Sequence, residues 1–249
     1  MFSVQAKHRI MKYQMTREQH NTIHHPARYH VTSVSRAGSG TTSPITMSST
    51  NMSSCGTSTG ETIRAFVAVR LPLELAATLH KKAQNRAGDS LVHKMRWIAP
   101  QQQHITLHFL GECHQKQLEQ YSKHLKSAFD RESAFSAMTG RYEVFPDANR
   151  PRVLALSMHS GQQLNSLARI CEEAAVSCGL RQELRNFRPH VTLARFKQHH
   201  HVSPRHFFNM PSFRMSICEV VLMQSGTGPE GTTYRTLQTY PLQSLAQSA

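Results

Sequence analysis

Two short segments of this 249-residue chain read alike: His104-Ile105-Thr106-Leu107 and His190-Val191-Thr192-Leu193, 86 residues apart. Each opens an apolar run of strand character. In a strand, alternate side chains share a face. His104 and Thr106 then project one way, and Ile105, Leu107 and Phe109 the other. Likewise His190 and Thr192 oppose Val191 and Leu193. Each strand would bury its aliphatic face and offer an imidazole and a hydroxyl on the free one. Two such pairs lining one cleft could move two protons: a neutral ring takes one from water while a protonated ring gives one to a leaving oxygen. An ordinary histidine pKa near 6.5 lets both states exist near neutral pH. Each transfer contributes roughly 10²–10⁴-fold in rate. The threonine hydroxyls would donate to charge building on a phosphoryl oxygen. Spacing does not decide which histidine is acid and which is base. His-x-Thr also occurs at His20 and His30, but in a polar stretch where no strand would orient them. A single histidine opening a strand is more often a hydrogen-bonded structural residue. Recurrence of the whole tetrapeptide is what points to chemistry.

The surrounding elements repeat as well. Ile63–Arg70 reads as a strand, followed by a helix marked by Leu75, Ala76, Leu79 and Ala83 and ending at Gly88. Met95–Ile98 is a short strand, His104–Leu110 a longer one stopped by Gly111. Leu118, Tyr121, Leu125 and Phe129 mark a second helix, before strands at 134–138 and 141–145. Arg152–Met158 then starts the order again. A helical stripe through Leu164, Leu167, Cys171, Ala174 and Cys178 ends at Gly179, and His190–Phe196 is a strand. Phe213–Gln224 and Thr233–Tyr240 read as closing strands. First strands, helix starts and histidine strands recur at offsets of about 86–89 residues, which predicts two similar lobes. Strand–helix–strand lobes with hairpins imply an α+β fold, bilobal, with mainly antiparallel sheets around a central cleft.

The first 60 residues differ from the rest. Residues 38–60 read GSGTTSPITMSSTNMSSCGTSTG, without apolar periodicity. Such composition cannot offset its ordering entropy, so 1–60 is expected to be a disordered Ser/Thr/His-rich tail and 61–249 the folded domain. The tail lacks a convincing amphipathic helix, which argues against an organelle transit peptide. The abrupt change near Thr62 also suggests a native start at Met47 or Met52.

Of 29 Lys and Arg and 15 Asp and Glu, six and one lie in the tail, leaving 23 basic against 14 acidic residues and a +9 balance in the domain. That suits a polyanionic partner. No apolar run approaches a membrane span. Five cysteines without CxxC spacing fit neither a disulfide scaffold nor a structural zinc site, and point to a reducing, cytoplasmic compartment. There is no Walker-type glycine loop.

The segments RAFVAVRLP at 64–72, RWIAPQQQHITLHFLGE at 96–112, RPHVTLARF at 188–196 and YRTLQTYPL at 234–242 together resemble the RNA 2′,3′-cyclic phosphodiesterases of the two-histidine (2H) phosphoesterase superfamily, also described as 2′–5′ RNA ligases. The likeness spans 62–242; the long tail is the departure. The resemblance implies a bilobal fold with a pseudo-two-fold axis. It implies hydrolysis of terminal ribonucleoside 2′,3′-cyclic phosphates of RNA to 2′-phosphomonoesters, without a metal or cofactor and reversible in principle as 2′–5′ ligation. By position, His104 becomes the proton donor to the leaving 3′-oxygen and His190 the acceptor from water, while Thr106 and Thr192 hold the phosphate. Two other classes stay in view: an RNA-end-binding protein without turnover, and a related phosphoesterase acting on another cyclic phosphate.

The remaining candidates are weaker. Arg195 and Trp97 are possible RNA contacts, although strict alternation puts Arg195 on the face opposite His190. Arg188 flanks the same strand. Phase places Phe109 in the core and His108 at the cleft rim. Cys171 and Cys178 read as core, with Glu172 and Glu173 on the helix's wet side. His199–His201 reads as a solvent loop rather than a metal site. A monomer acting on RNA or a small cyclic nucleotide is expected.

Overall fold

The computed structural model describes residues 62–183, 185–198, 211–228 and 231–244. The expected tail and the His199–His201 loop lie outside them. In chain order the elements are β1 (Thr62–Arg70), α1 (Leu73–Val92), β2 (Met95–Trp97), β3 (His104–His114), α2 (Gln115–Phe129), β4 (Phe135–Phe145), β5 (Val153–His159), α3 (Gln163–Ser177), β6 (His190–Phe196), β7 (Arg214–Ile217), β8 (Glu219–Gly228) and β9 (Gly231–Pro241).

The strands form one antiparallel sheet ordered β7-β4-β5-β6-β3-β1-β8-β9, with β2 on β6. Outward from the centre, β3-β1-β8-β9 mirrors β6-β5-β4-β7, so the predicted bilobal plan is present as two halves of a continuous sheet. The histidine strands are its innermost members. They join at a single register pair, Ile105 with Val191. Beyond it they diverge, and β2 takes the free edge of β6 from Ala194 to Phe196.

Helical spacing decides what each helix buries. Leu118, Tyr121, Leu125 and Phe129 of α2, and Leu164, Leu167, Ala168, Cys171, Ala174 and Ala175 of α3, are buried. These stripes pack on each other and on β3, and Tyr121 Oη donates to the Cys171 carbonyl at 3.3 Å. The other face of β1 carries a smaller apolar layer: Phe66, Ala68, Val221 and Met223, with Tyr234 against them.

Several boundaries differ from the expected ones. α1 passes through Gly88, whose φ of 60° kinks it, and continues to Val92. β3 runs on through Gly111 to His114 by means of bulges. The two expected strands at 134–138 and 141–145 are one, β4, bulged between Thr139 and Tyr142. Ser157 of β5 fills that bulge: its Oγ accepts from Arg141 N–H at 3.0 Å and donates to Arg141 O at 3.1 Å. A Cβ at Gly140 would overlap Ser157 Oγ and the His159 ring. Finally, Phe213–Gln224 breaks at Cys218. Its first part, β7, pairs with β4 in one half, and its second, β8, with β1 in the other. An apolar run does not reveal that the chain changes partners midway.

Candidate active site

The Ile105–Val191 pair fixes the geometry of the centre. Both side chains are 0% exposed and point to the core, so their neighbours point to the opposite face. His104 and Thr106 flank Ile105 on that face of β3, and His190 and Thr192 flank Val191 on that face of β6. The four polar side chains named by the sequence therefore lie on one face around this junction. All four are partly exposed.

Each ring is held by the backbone two residues upstream. His104 Nδ1 lies 2.7 Å from Gln102 O, and His190 Nδ1 lies 2.7 Å from Arg188 O. A carbonyl only accepts, so Nδ1 carries the proton in both rings. This leaves Nε2 as the nitrogen that the backbone carbonyl does not engage. Aromatic rings wall them further: Phe66 and Tyr234 stand 5.0 and 5.2 Å from His104, and Phe145 stands 5.4 Å from His190. Burial pulls the His104 pKa below its ordinary value. The Gln102 carbonyl opposes that shift, while the nearby charges of His190 and Arg195 add to it.

A cavity of about 410 Å³ opens over His104, Thr106 and Thr192. Its described lining also includes Arg64, Phe66, Phe109, Arg195 and Tyr234, and no carboxylate. Arg64 stacks on the Phe109 ring at 4.9 Å. On the other side Arg188 stacks on Phe145 at 4.9 Å and pairs with Glu143 at 2.9 Å. Trp97 does not line this cavity. It packs half-buried against the core, its Nε1 donating to Val92 O at 3.0 Å.

Two phase assignments require correction, and both fail for one reason. In β3, Val67 pairs with His108 but Ala68 with Thr106, so Leu107 is an extra residue. Alternation resets there: His108 turns inward at 4% exposure and Phe109 outward at 40%. In β6, Leu154 pairs with Ala194 but Ala155 with Thr192, so Leu193 is extra. That reset brings Arg195 onto the histidine face, where strict alternation would not have put it. A bulge re-aims the side chains beyond it by one position. Buried His108 meets Glu172 of α3, Nδ1 to Oε2 at 3.0 Å. Glu172 also accepts from Glu183 N–H at 3.2 Å, so it is not the solvent-facing residue expected. Burial lowers the His108 pKa, outweighing the opposing pull of Glu172 and then Glu183.

The family model described as the 2′-5′ RNA ligase superfamily matches residues 71–229. The chain belongs to this superfamily. Its curated relatives in the superfamily include proteins named RNA 2′,3′-cyclic phosphodiesterase. That of Bacillus subtilis (strain 168) is 31% identical over 130 residues, 52% of this chain and 69% of the relative. That of Aquifex aeolicus is 33% identical over 106 residues, 42% of this chain and 56% of the relative. Among solved structures, a Thermus thermophilus protein superposes with TM-score 0.61 at 25% identity, covering 73% of this chain and 99% of that one. Escherichia coli LigT, solved with 3′-AMP, gives TM-score 0.62 at 24% identity with the same coverage. The 2′-5′ RNA ligase fold thus accounts for the sheet and its mirrored halves. Among the described residues no helix is long and apolar enough to cross a membrane, and no cluster of His, Cys, Asp and Glu is arranged to hold a metal ion.

Sequence reasoning missed Arg64, Phe66 and Tyr234. β1 is buried from Ala65 to Val69 on both faces, so it shows no alternation that would single out Phe66. Tyr234 arrives from β9, with β8 and β1 intervening before β3, and no local signal announces it.

Proposed function

We propose that the protein hydrolyses terminal 2′,3′-cyclic phosphates of RNA to 2′-phosphomonoesters by acid–base catalysis between His190 and His104. The observation that supports this reading is the matched pair of rings, each with Nδ1 committed to a backbone carbonyl at 2.7 Å and Nε2 left for proton transfer. His190 Nε2 takes a proton from water as the water oxygen bonds to phosphorus. The P–O3′ bond breaks, and O3′ takes the proton from His104 Nε2. The ribose keeps its 2′-phosphate, and proton exchange with solvent resets the two rings. Thr106 and Thr192 hydroxyls and the Arg195 guanidinium face the non-bridging oxygens and stabilise the charge gathered there.

The lowered His104 pKa favours a neutral ring in the empty cleft, whereas a proton donor must be charged. A bound phosphodiester anion supplies the missing stabilisation, since an opposite charge nearby favours the imidazolium. Substrate binding is then coupled to proton uptake at His104. With a 5′-hydroxyl in place of water, the same steps join it to the 2′,3′-cyclic phosphate through a 2′–5′ bond as O3′ leaves.

Phosphorus NMR of a short RNA ending in a 2′,3′-cyclic phosphate, incubated with the protein and EDTA, tests the reading. The expected product is the 2′-phosphate. A 3′-phosphate would reverse the leaving group and with it the histidine roles. No conversion by folded protein would favour an RNA-end-binding protein. Conversion only on restoring a divalent metal would refute the two-histidine scheme.

A further inference from the structure

The cleft does not end at Arg195. Arg195 also forms part of a second concavity of about 760 Å³, lined with Arg96, Arg152, Phe196 and Lys197. Arg96 of β2 is the register partner of Arg195 on β6, so two guanidiniums issue from directly opposed positions on one face. Like charges placed directly opposite are destabilising. Arg152 joins them from the start of β5, its carbonyl accepting from Phe196 N–H at 3.0 Å. Lys197 follows two residues after Arg195, in the same alternation phase.

These four cations are exposed, and among the described residues none has a carboxylate within ion-pair distance. Several arginines elsewhere in the domain are ion-paired: Arg70 with Glu219, Arg169 with Glu173, Arg185 with Glu183, and Arg141 and Arg188 with Glu143. An unpaired basic saddle sharing a wall with the catalytic cavity is arranged for an extended anion, one end of which sits over the histidines.

We propose that this saddle is a phosphodiester subsite that holds the backbone of single-stranded RNA next to the cyclic-phosphate end. The protein would then discriminate oligoribonucleotides from mononucleoside cyclic phosphates. This rests on the reading of the cleft as a cyclic-phosphodiesterase site. Arg195 touches both anions, while Arg96, Arg152 and Lys197 touch only the backbone.

The test compares cytidine 2′,3′-cyclic phosphate with a five-nucleotide RNA bearing the same end. The variant is Arg96→Ser/Arg152→Ser/Lys197→Ser, with Arg96→Lys/Arg152→Lys as the charge-preserving control. Three lost phosphate contacts on a single strand correspond to a change of about 2 in the slope of log KM against log salt, at roughly 0.7 per contact. In the Ser variant, KM for the five-mer should rise about tenfold or more at physiological salt, kcat should hold, and the mononucleotide kinetics should not move. The Lys control should stay within about threefold of wild type. Equal losses on both substrates, or an unchanged five-mer KM, would overturn the proposal. If the wild type turns over neither substrate, the functional reading fails on its own. The subsite is then decided by fluorescence anisotropy of a labelled five-mer ending in a 3′-phosphate. Weaker binding by the Ser variant with a shallower salt slope supports the subsite, and identical binding removes it.

Discussion

Ile105→Ala is expected to separate the two jobs of the first histidine strand. Ile105 is completely buried and forms the single register pair between the two halves of the sheet, one residue from His104 and from Thr106. Truncating a buried Ile to Ala typically costs about 2–5 kcal/mol, and Ile to Val about 0.5–1.5 kcal/mol. For a domain of this size each kcal/mol lowers Tm by about 2–4 °C. Ile105→Ala should therefore melt about 4–20 °C below wild type, and Ile105→Val about 1–6 °C below. The neighbouring change Thr106→Val keeps shape on a partly exposed face and should stay within about 0.5 kcal/mol. Activity should respond too. The pair joins the strand that carries His104 and Thr106 to the strand that carries His190 and Thr192, and a misplacement of about 1 Å can cost 10²-fold. At 20 °C, with the variant still folded by circular dichroism, kcat of Ile105→Ala should fall at least tenfold. A urea-denaturation cycle with Val191→Ala completes the assay. Contacting residues couple by about 0.5–3 kcal/mol, whereas independent sites add within about 0.5 kcal/mol. Strict additivity, or an Ile105→Ala variant that melts within 2 °C of wild type, would refute both the strand phase and the junction.

His104→Ala and His190→Ala should each lower kcat by roughly 10²–10⁴-fold while leaving Tm within about 2 °C, read by NMR turnover and calorimetry. A variant with wild-type turnover would remove its histidine from the mechanism. Stability should depend on pH through His104 and His108, both held below the ordinary histidine value by burial. The unfolded chain binds more protons at these sites, so their contribution is present above about pH 6.5 and is lost as pH falls through the lowered values. Tm should drop on acidification from pH 7.5 to 5.5, and less so in His108→Gln; identical drops would contradict the assignment to His108. Gly140→Ala should destabilise the β4–β5 bulge, where a methyl meets Ser157 Oγ and the His159 ring, and unaltered urea melting would contradict that crowding.

The facing of the two His-x-Thr segments is legible because they are short and lie before any irregularity. From His104 to Thr106, and from His190 to Thr192, strict alternation holds, and a two-residue period needs only three residues to declare a face. The helices were legible because their stripes are long: α2 buries the four residues its spacing names. Legibility stopped at the bulges. Nothing in Leu107-His108 or Leu193-Ala194 marks an extra residue, since bulge formation is decided by the partner strands β1 and β5. One inserted position moves every later side chain to the other face. His108 and Phe109 therefore take the faces opposite to those their phase predicts, and Arg195 reaches the cavity because the strand departs from strict alternation. Trp97 was offered to RNA because an aromatic beside an arginine can stack on a base. Its indole N–H donates to the carbonyl of Val92, the last residue of α1, and Trp97 is not among the cavity's lining residues.

The two bulges also explain how a nearly symmetric centre can serve an asymmetric substrate. They occur at equivalent places, 86 residues apart, just after each His-x-Thr. The first residue each re-aims toward the cleft is Phe109 in one half and Arg195 in the other. The residues turned inward are His108, which meets Glu172 of α3, and Ala194, which meets no such group. The histidines and threonines are thus duplicated chemistry, while the positions past the bulge carry the differences. Phe109 with Arg64 offers a flat cationic sandwich suited to a base, and Arg195 offers a guanidinium shared with the basic saddle. Under the proposed function, a terminal nucleotide with its base toward Phe109 and its preceding phosphodiester toward Arg195 would have one orientation over the histidine pair, and that orientation would decide which ring faces O3′. On this argument the acid and base roles follow from the unequal residues beside the motif rather than from the motif itself. Exchanging them, with Phe109→Arg and Arg195→Phe in one chain, should shift product from 2′-phosphate toward 3′-phosphate if the protein still turns over. An unchanged product ratio in an active double variant would place the choice in the histidines' own surroundings, Phe66 and Tyr234 around His104 against Phe145 beside His190.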